Sequence, residues 1–412
     1  MNFAPAGSLW RDRDFMHLFW ATTLSVLGTS VTQMALPLTA VQLLHASATQ
    51  MGILAACSLL PFVLLGLPAG VWIDRSRKRK LAIAFDLFSA AGLVLVPLSY
   101  LGGVLCLPVL YLAAAMVSTG EAVGGSAMQV FITQLVGRDR LVLANSQLSG
   151  ASSAAQLVGP ALAAILVALA GAPLAITADA LSFVISAILL SRIHRDDMPA
   201  INKYANVLGE IKEGLLLVWR TPMLRTLVWV VCVWITLNDS FKALYVLFAA
   251  RDLSLSAADI ALINTLGALG GLLGAAIAHK LERRIGSSKS LVWGVLGAGI
   301  GYLSYALPRA GSAYANWMAG AALMLMNLGV AVYLVNYLSL RQAVTPDALL
   351  GRMVTTMRFL TIALAPVGTV AIGRAADAYG LVPVFIGIGA GCFLMGIAAW
   401  LLLPPHSAPD AQ

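Results

Sequence analysis

The chain has 412 residues, of which 60% are hydrophobic and only 11% charged, and its mean hydropathy is +0.88. This composition excludes a string of soluble domains, and the ten-residue alternation of a membrane β-barrel is absent. The net charge of +8, from 26 Lys and Arg against 18 Asp and Glu, would suit nucleic acid if it were spread over a soluble surface; here most of the basic residues lie between long apolar stretches.

Apolar stretches of about 20 residues recur along the whole chain, each enough at 1.5 Å per residue to cross about 30 Å of hydrocarbon. They predict an all-α polytopic membrane protein with twelve transmembrane helices, near 15–44, 51–73, 81–101, 107–134, 142–170, 172–192, 223–250, 257–279, 288–308, 312–340, 350–373 and 380–403. The first run is too long for a signal-peptide core and no small-residue cleavage site follows it, so it reads as a retained span. Span one carries Thr29, Ser30 and Gln33. Between spans two and three stands GVWIDRSRKRK, Gly70 to Lys80, where Asp74 precedes five basic residues in six positions.

Ionisable side chains inside hydrocarbon are costly and become candidates for function. They are Asp86 in span three, Glu121 in span four, Asp179 in span six, and Asp239 with Lys242 in span seven. Glu121 is the only charge of its span. It either binds and releases a proton as its solvent access alternates, or stays protonated and hydrogen-bonds a neighbouring helix. Asp239 and Lys242, three apart on one helical face, form either a static pair or a gate that a proton or a cationic substrate opens. For Asp86 and Asp179, interhelical hydrogen bonding or closeness to the interface is the favoured reading.

The longest connection, His194 to Pro222, holds Leu208, Ile211, Leu215 and Val218 at helical spacing, opposite Glu210, Lys212 and Glu213. It reads as an amphipathic helix at the cytoplasmic surface, or as an extension of span seven. The expected division is a first bundle at 1–193, a linker at 194–222 and a second bundle at 223–412. Gly267, Gly270, Gly271 and Gly274 in span eight allow helices to approach closely. GAGIG and GIGAG, at 297–301 and 387–391, lie in apolar spans with no preceding strand, so they are not nucleotide loops. Neither a Walker run nor a metal-ligand spacing of histidines occurs, and Cys57, Cys106, Cys232 and Cys392 have no paired spacing. No cofactor, no metal and no enzymatic activity are expected.

With both termini and the even-numbered loops on one side, 22 of the 26 Lys and Arg fall there; Lys242 lies in a span, and Arg251, Arg309 and Arg374 remain opposite. The positive-inside rule makes that side cytoplasmic. The excess charge then faces anionic lipid, and nucleic acid is not a partner. Three weak internal matches share nearly one offset: Trp10-Arg11 with Trp219-Arg220, Asp139 with Asp347, and Pro160 with Pro366. They point to two homologous six-helix halves.

At this point the chain resembles the major facilitator superfamily along its length. Gly70, Asp74, Arg75, Lys78 and Arg79 match that family's loop signature, with Arg77 in place of its second glycine. Gly159 and Pro160 match the antiporter signature of span five, where alanines replace the last two glycines. ALPLTAV, DALSF and RQAVTPDALLGRM, at 35–41, 179–183 and 341–353, are similar to the macrolide and siderophore (enterobactin exporter-like) efflux branch. The buried arginine of the family's proton-coupled span-four signature is absent.

The resemblance implies a cavity lined by spans one, four, seven and ten. Its walls would then include Thr29, Ser30, Gln33, Trp234, Asn327, Tyr333, Asn336 and Tyr337, with Phe241 and Tyr245 adding aromatic surface. Proton coupling is expected at Glu121 and Asp239 from their charge within spans, and the resemblance implies a bend at Gly159 and Pro160 and a cytoplasmic latch in which Asp74 docks near Gly351 and Arg352. The function it implies is alternating-access export of a bulky, partly apolar small molecule, in exchange for protons, across the bacterial inner membrane by a monomer. Proton-coupled uptake or facilitated movement of a metabolite or lysolipid is the alternative within transport. A non-transporting membrane sensor is the alternative outside it, although the short tails, Met1–Asp14 and Pro404–Gln412, hold no signalling domain.

Overall fold

Lipid offers the backbone no hydrogen-bond partner, so a chain this apolar must close its amides and carbonyls within helices. The computed structural model describes residues 9–195, 207–309, 311–312, 314–346 and 349–402, and no strand occurs among them. Among the described residues, eleven helices are long and apolar enough to cross a membrane. The segment expected at 288–308 falls short of that measure. It forms an 18-residue helix, Ser287–Ser304, which opens on Ser-Ser-Lys-Ser.

The chain divides by contacts into two units. The first comprises Met1–Ala40 and Cys57–Ala205. It is built from α1 (Arg13–Gln42), α2 (Ala48–Arg75), α3 (Lys78–Leu101), α4 (Leu107–Gly120), a π-helical turn (Glu121–Gly125), α5 (Ser126–Val136), α6 (Leu141–Ala170) and α7 (Ala172–Ser191). Phe15 and Leu18 of α1, Phe131 and Leu135 of α5, Leu148 of α6 and Leu190 of α7 form one buried cluster. The basic stretch after Asp74 hardly loops at all: only Ser76 and Arg77 separate α2 from α3. Lys78, expected among the groups facing lipid headgroups, is 1% exposed.

The second unit comprises Val41–Ala56 and Asn206–Gln412. Its helices are α8 (Val207–Arg220), α9 (Pro222–Leu247) running into a second π-helical turn (Phe248–Asp252), α10 (Ala257–Ile285), α11 (Ser287–Ser304), α12 (Ala315–Ala343), α13 (Leu350–Ile362), α14 (Ala365–Tyr379) and α15 (Leu381–Leu402). A single residue, Thr221, separates α8 from α9, so the linker helix is its own element. It packs on α13 through Gly214, where a Cβ would lie 2.2 Å from Thr356 Oγ1. Residues 196–206 of the linker, and Asp347 of the internal repeat, lie outside the described residues.

Glycines set the middle of this unit. A Cβ on Gly270 or Gly274 of α10 would lie 2.0 or 2.4 Å from the carbonyl oxygens of Met324 or Leu328 in α12. On the other side of α12, a Cβ on Gly301 of α11 would lie 2.5 Å from the Met326 nitrogen, and one on Gly329 would lie 2.3 Å from the Ala298 nitrogen. Backbones touch there because no side chain intervenes. The two repeated prolines end differently. Pro160 sits inside the continuous helix α6, whereas Pro366 opens α14 after a break at Ala363 and Leu364.

Val41–Ala56 joins the second unit through the start of α2. Ser47 and Gln50 form a local cap: the Ser47 amide donates to Gln50 Oε1 at 2.9 Å, and the Gln50 amide donates to Ser47 Oγ at 3.3 Å. Asp377 of α14 completes it, accepting from the amides of Ala48 and Thr49 at 2.8 and 2.9 Å and from Ser47 Oγ at 2.9 Å. A carboxylate suits a helix N-terminus, where unpaired N–H groups carry partial positive charge. Gly52 and Gly373 bring the two helices together, since a Cβ on either would lie within 2.5 Å of a backbone oxygen of the other helix.

Candidate functional site

The first unit encloses a cavity of about 540 Å³. From α1 it takes a polar stripe, Thr22, Ser25, Thr29, Ser30 and Gln33, recurring at the three- and four-residue spacing of one helix face. Thr29, Ser30 and Gln33 were expected from sequence, while Thr22 and Ser25 belong to the same periodicity and were overlooked. The fourth span supplies Gly120, Glu121, Gly124, Gly125 and Met128. Glu121 is the first residue of the π-helical turn, a local widening that recurs at functional positions. Gln156 of α6, and Phe183 and Ser186 of α7, close the wall.

Asp86 also lines this cavity, although its span was not among the four expected to form the walls. The glycines of the fourth span supply the reason. A Cβ on Gly120 would lie 2.0 Å from Ser89 Oγ, and one on Gly124 would lie 2.9 Å from Phe85 Cβ, so α3 comes close enough to present its next face inward. Ser186 Oγ donates to Asp86 Oδ2 at 2.7 Å. Asp179, by contrast, is fully buried beside α1. Ser182 Oγ donates to its Oδ1 at 3.1 Å, and a Cβ on Gly28 would lie 2.5 Å from that oxygen. Gly159 lies against Ser30, 2.5 Å from where its Cβ would stand, so the pair Gly159-Pro160 places α6 tightly on α1.

In the second unit, Lys242 Nζ lies 3.4 Å from Asp239 Oδ1, with the lysine side chain 60% exposed and the aspartate 18%. Two residues that sequence reading passed over extend the pair. Asn238 Nδ2 donates to Asp239 Oδ1 at 3.2 Å, and Tyr302 Oη donates to Asn238 Oδ1 at 2.9 Å. Tyr302 is 64 residues away, so no local pattern could have announced it.

The expected cavity residues of spans seven and ten are brought together as packing. The rings of Trp234 and Tyr333 lie 4.6 Å apart, Tyr333 stacks on Tyr337 at 5.9 Å, and the Arg341 guanidinium stands 4.9 Å from the Tyr337 ring centre. Asn336 turns its amide to the Val332 carbonyl of its own helix, and Asn327 faces Gly267 of α10. Phe241 stacks on Tyr245, whose hydroxyl donates to Asn264 Oδ1 at 3.0 Å.

Of the expected latch, Gly70, Asp74 and Arg75 occupy the last turns of α2, Arg79 follows Lys78 in the first turn of α3, and Gly351 and Arg352 lie in the first turn of α13. The side chain of Asp74 lies outside the described residues. Arg352 is paired with Glu213 of α8. Among the described residues there is no group of three or more His, Cys, Asp or Glu placed to hold a metal ion.

Comparison with known proteins identifies the family. Residues 18–367 match the family model of the Major Facilitator Superfamily. The chain is 28% identical over 395 residues to the multidrug efflux pump Tap of Mycolicibacterium fortuitum, covering 93% of this chain and 94% of that pump. It is 27% identical over 405 residues to the pump of the same name from Mycobacterium tuberculosis, covering 94% and 93%. Among solved structures, the nucleoside transporter NupG superposes with a TM-score of 0.77 at 12% identity, covering 95% of this chain and 100% of that one. A bacterial homologue of the iron transporter ferroportin, solved in an inward-facing state, gives 0.73 at 18% identity, covering 95% and 98%. At such identities these two likenesses concern the fold.

Proposed function

The chain belongs to the major facilitator superfamily, and on that premise we propose that this transporter exports a bulky, partly apolar compound in exchange for protons. The observation that carries the reading is the cavity of the first unit, where Glu121 faces a wall that is hydroxyl- and amide-bearing on α1 and apolar at Met128 and Phe183. A wall of mixed character suits a drug-sized solute with both polar and apolar parts. Glu121, the only acid of its span, is the group assigned to carry the proton. The efflux direction rests on the similarity to two pumps named for multidrug efflux. The one-sided Lys and Arg supply the orientation, with both termini in the cytoplasm of a bacterial plasma membrane.

Everted membrane vesicles test the proposal with a panel of neutral, cationic and anionic dyes. Vesicles acidified inside should accumulate at least one dye, and a protonophore should abolish the accumulation. Glu121→Gln should lower the accumulation at least about tenfold while the protein stays in the membrane, a loss of about 1.4 kcal/mol or more of coupling. Accumulation only in right-side-out vesicles would reverse the direction to uptake. Wild-type proton exchange by Glu121→Gln would remove Glu121 from the mechanism.

A further inference from the structure

The cavity holds two carboxylates, and the proposed proton exchange uses one. Asp86 reaches the wall only because Gly120 and Gly124 let α3 approach the fourth span, and Ser186 fixes one of its oxygens at 2.7 Å. No described residue donates a hydrogen bond to the other oxygen. The lining contains no Lys, Arg or His. A carboxylate within a protein wall is stabilised by an opposite charge or by several donors, and among the described residues Asp86 receives a hydrogen bond from the Ser186 hydroxyl alone. The missing charge has to arrive with what the cavity takes up. Phe183 and Met128 line the same space, and an aromatic face and a polarizable thioether both suit the apolar shell of an organic cation.

We propose that Asp86, oriented by Ser186, anchors the positively charged group of the transported compound, a drug-sized organic cation, while Glu121 serves the proton. This rests on the transport reading above and narrows its substrate class. Compounds whose charge is carboxylate, phosphate or catecholate are disfavoured by the same wall.

The test uses a pair of ions of nearly equal size and apolarity but opposite charge, tetraphenylphosphonium and tetraphenylborate. Their binding to the purified full-length protein is measured by equilibrium dialysis, with protein-free micelles subtracted. The wild type should bind the phosphonium at least about tenfold more tightly than the borate. Asp86→Asn should remove most of that preference, Asp86→Glu should keep it, and Ser186→Ala, a change at the positioning residue, should weaken it about threefold. Glu121→Gln should lower phosphonium binding by less than Asp86→Asn does. Equal affinity for the two ions in the wild type, binding of neither, or full preference in Asp86→Asn would overturn the proposal. So would a larger loss in Glu121→Gln than in Asp86→Asn. The wild-type comparison decides even where a variant fails to fold. Binding is read without transport, so a failure of proton-driven accumulation in vesicles would fall on the transport reading alone.

Discussion

A charged side chain in a membrane span is tolerable when a partner shares its cost, and Asp239 and Lys242 stand 3.4 Å apart on one face of α9. With Lys242 60% exposed, the pair is screened on one side, so its value lies in keeping either charge from being left alone. Asp239→Asn should therefore slow transport about tenfold, and adding Lys242→Gln should restore the rate to within about threefold of wild type. Equal and additive losses in a double-mutant cycle of transport rates would show that the two charges act separately. Intramembrane charges such as Glu121 and this pair are legible in sequence because an ionisable residue stands out in an apolar run. The place of Asp86 in the cavity wall was not, since it depends on glycines about 35 residues further along the chain that have no side chain to signal the contact. Asn238 was overlooked for a related reason, its partner Tyr302 coming from another helix.

At the scale of the element, glycine decides how near two helices come. Gly329 of α12 has the Ala298 nitrogen 2.3 Å from its missing Cβ, whereas a Cβ on Gly271 of α10 would meet nothing within 4 Å. Gly329→Leu must push two backbones apart, which costs more than the roughly 1–3 kcal/mol of overpacking that side chains can absorb. Thermal unfolding of the purified protein should show a fall of about 10 °C or no folded protein at all. Gly271→Leu should stay within about 2 °C of wild type, and equal effects of the two would mean that the close approach is not what holds α11 and α12 together. The four glycines of span eight announced tight packing, but not which of them makes contact, because that needs the partner helix. The spans themselves were readable to within a few residues, as with 107–134 against Leu107–Val136. Their interruptions were not: hydropathy does not register a π-helical turn, and it gives the same proline pattern to α6, which continues, and to the eleventh span, which breaks.

For the whole molecule, the distribution of charge sets the orientation in the membrane, and the proposed topology follows from it. In a version with the four native cysteines replaced, Ser312→Cys should react with a membrane-impermeant maleimide added to intact cells, and Ser76→Cys should react only after the cells are opened. The reverse pattern would invert the topology and with it the direction of export. Sequence composition delivered the membrane class at this scale. It did not reveal that Val41–Ala56, continuous in sequence with the first unit, belongs by contact to the second. The local Ser47–Gln50 cap is written in four adjacent residues, whereas the carboxylate that completes it comes from 330 positions away.

That distance has a consequence for the order in which the protein is made. At about 5–20 residues per second of synthesis, Asp377 leaves the ribosome roughly 15–65 s after Ser47. Until then the amides of Ala48 and Thr49 have no carboxylate to bond, and α2 begins on its local cap alone. The start of the second helix is thus among the last pieces of the chain to be completed, and it is completed only when the fourteenth has arrived.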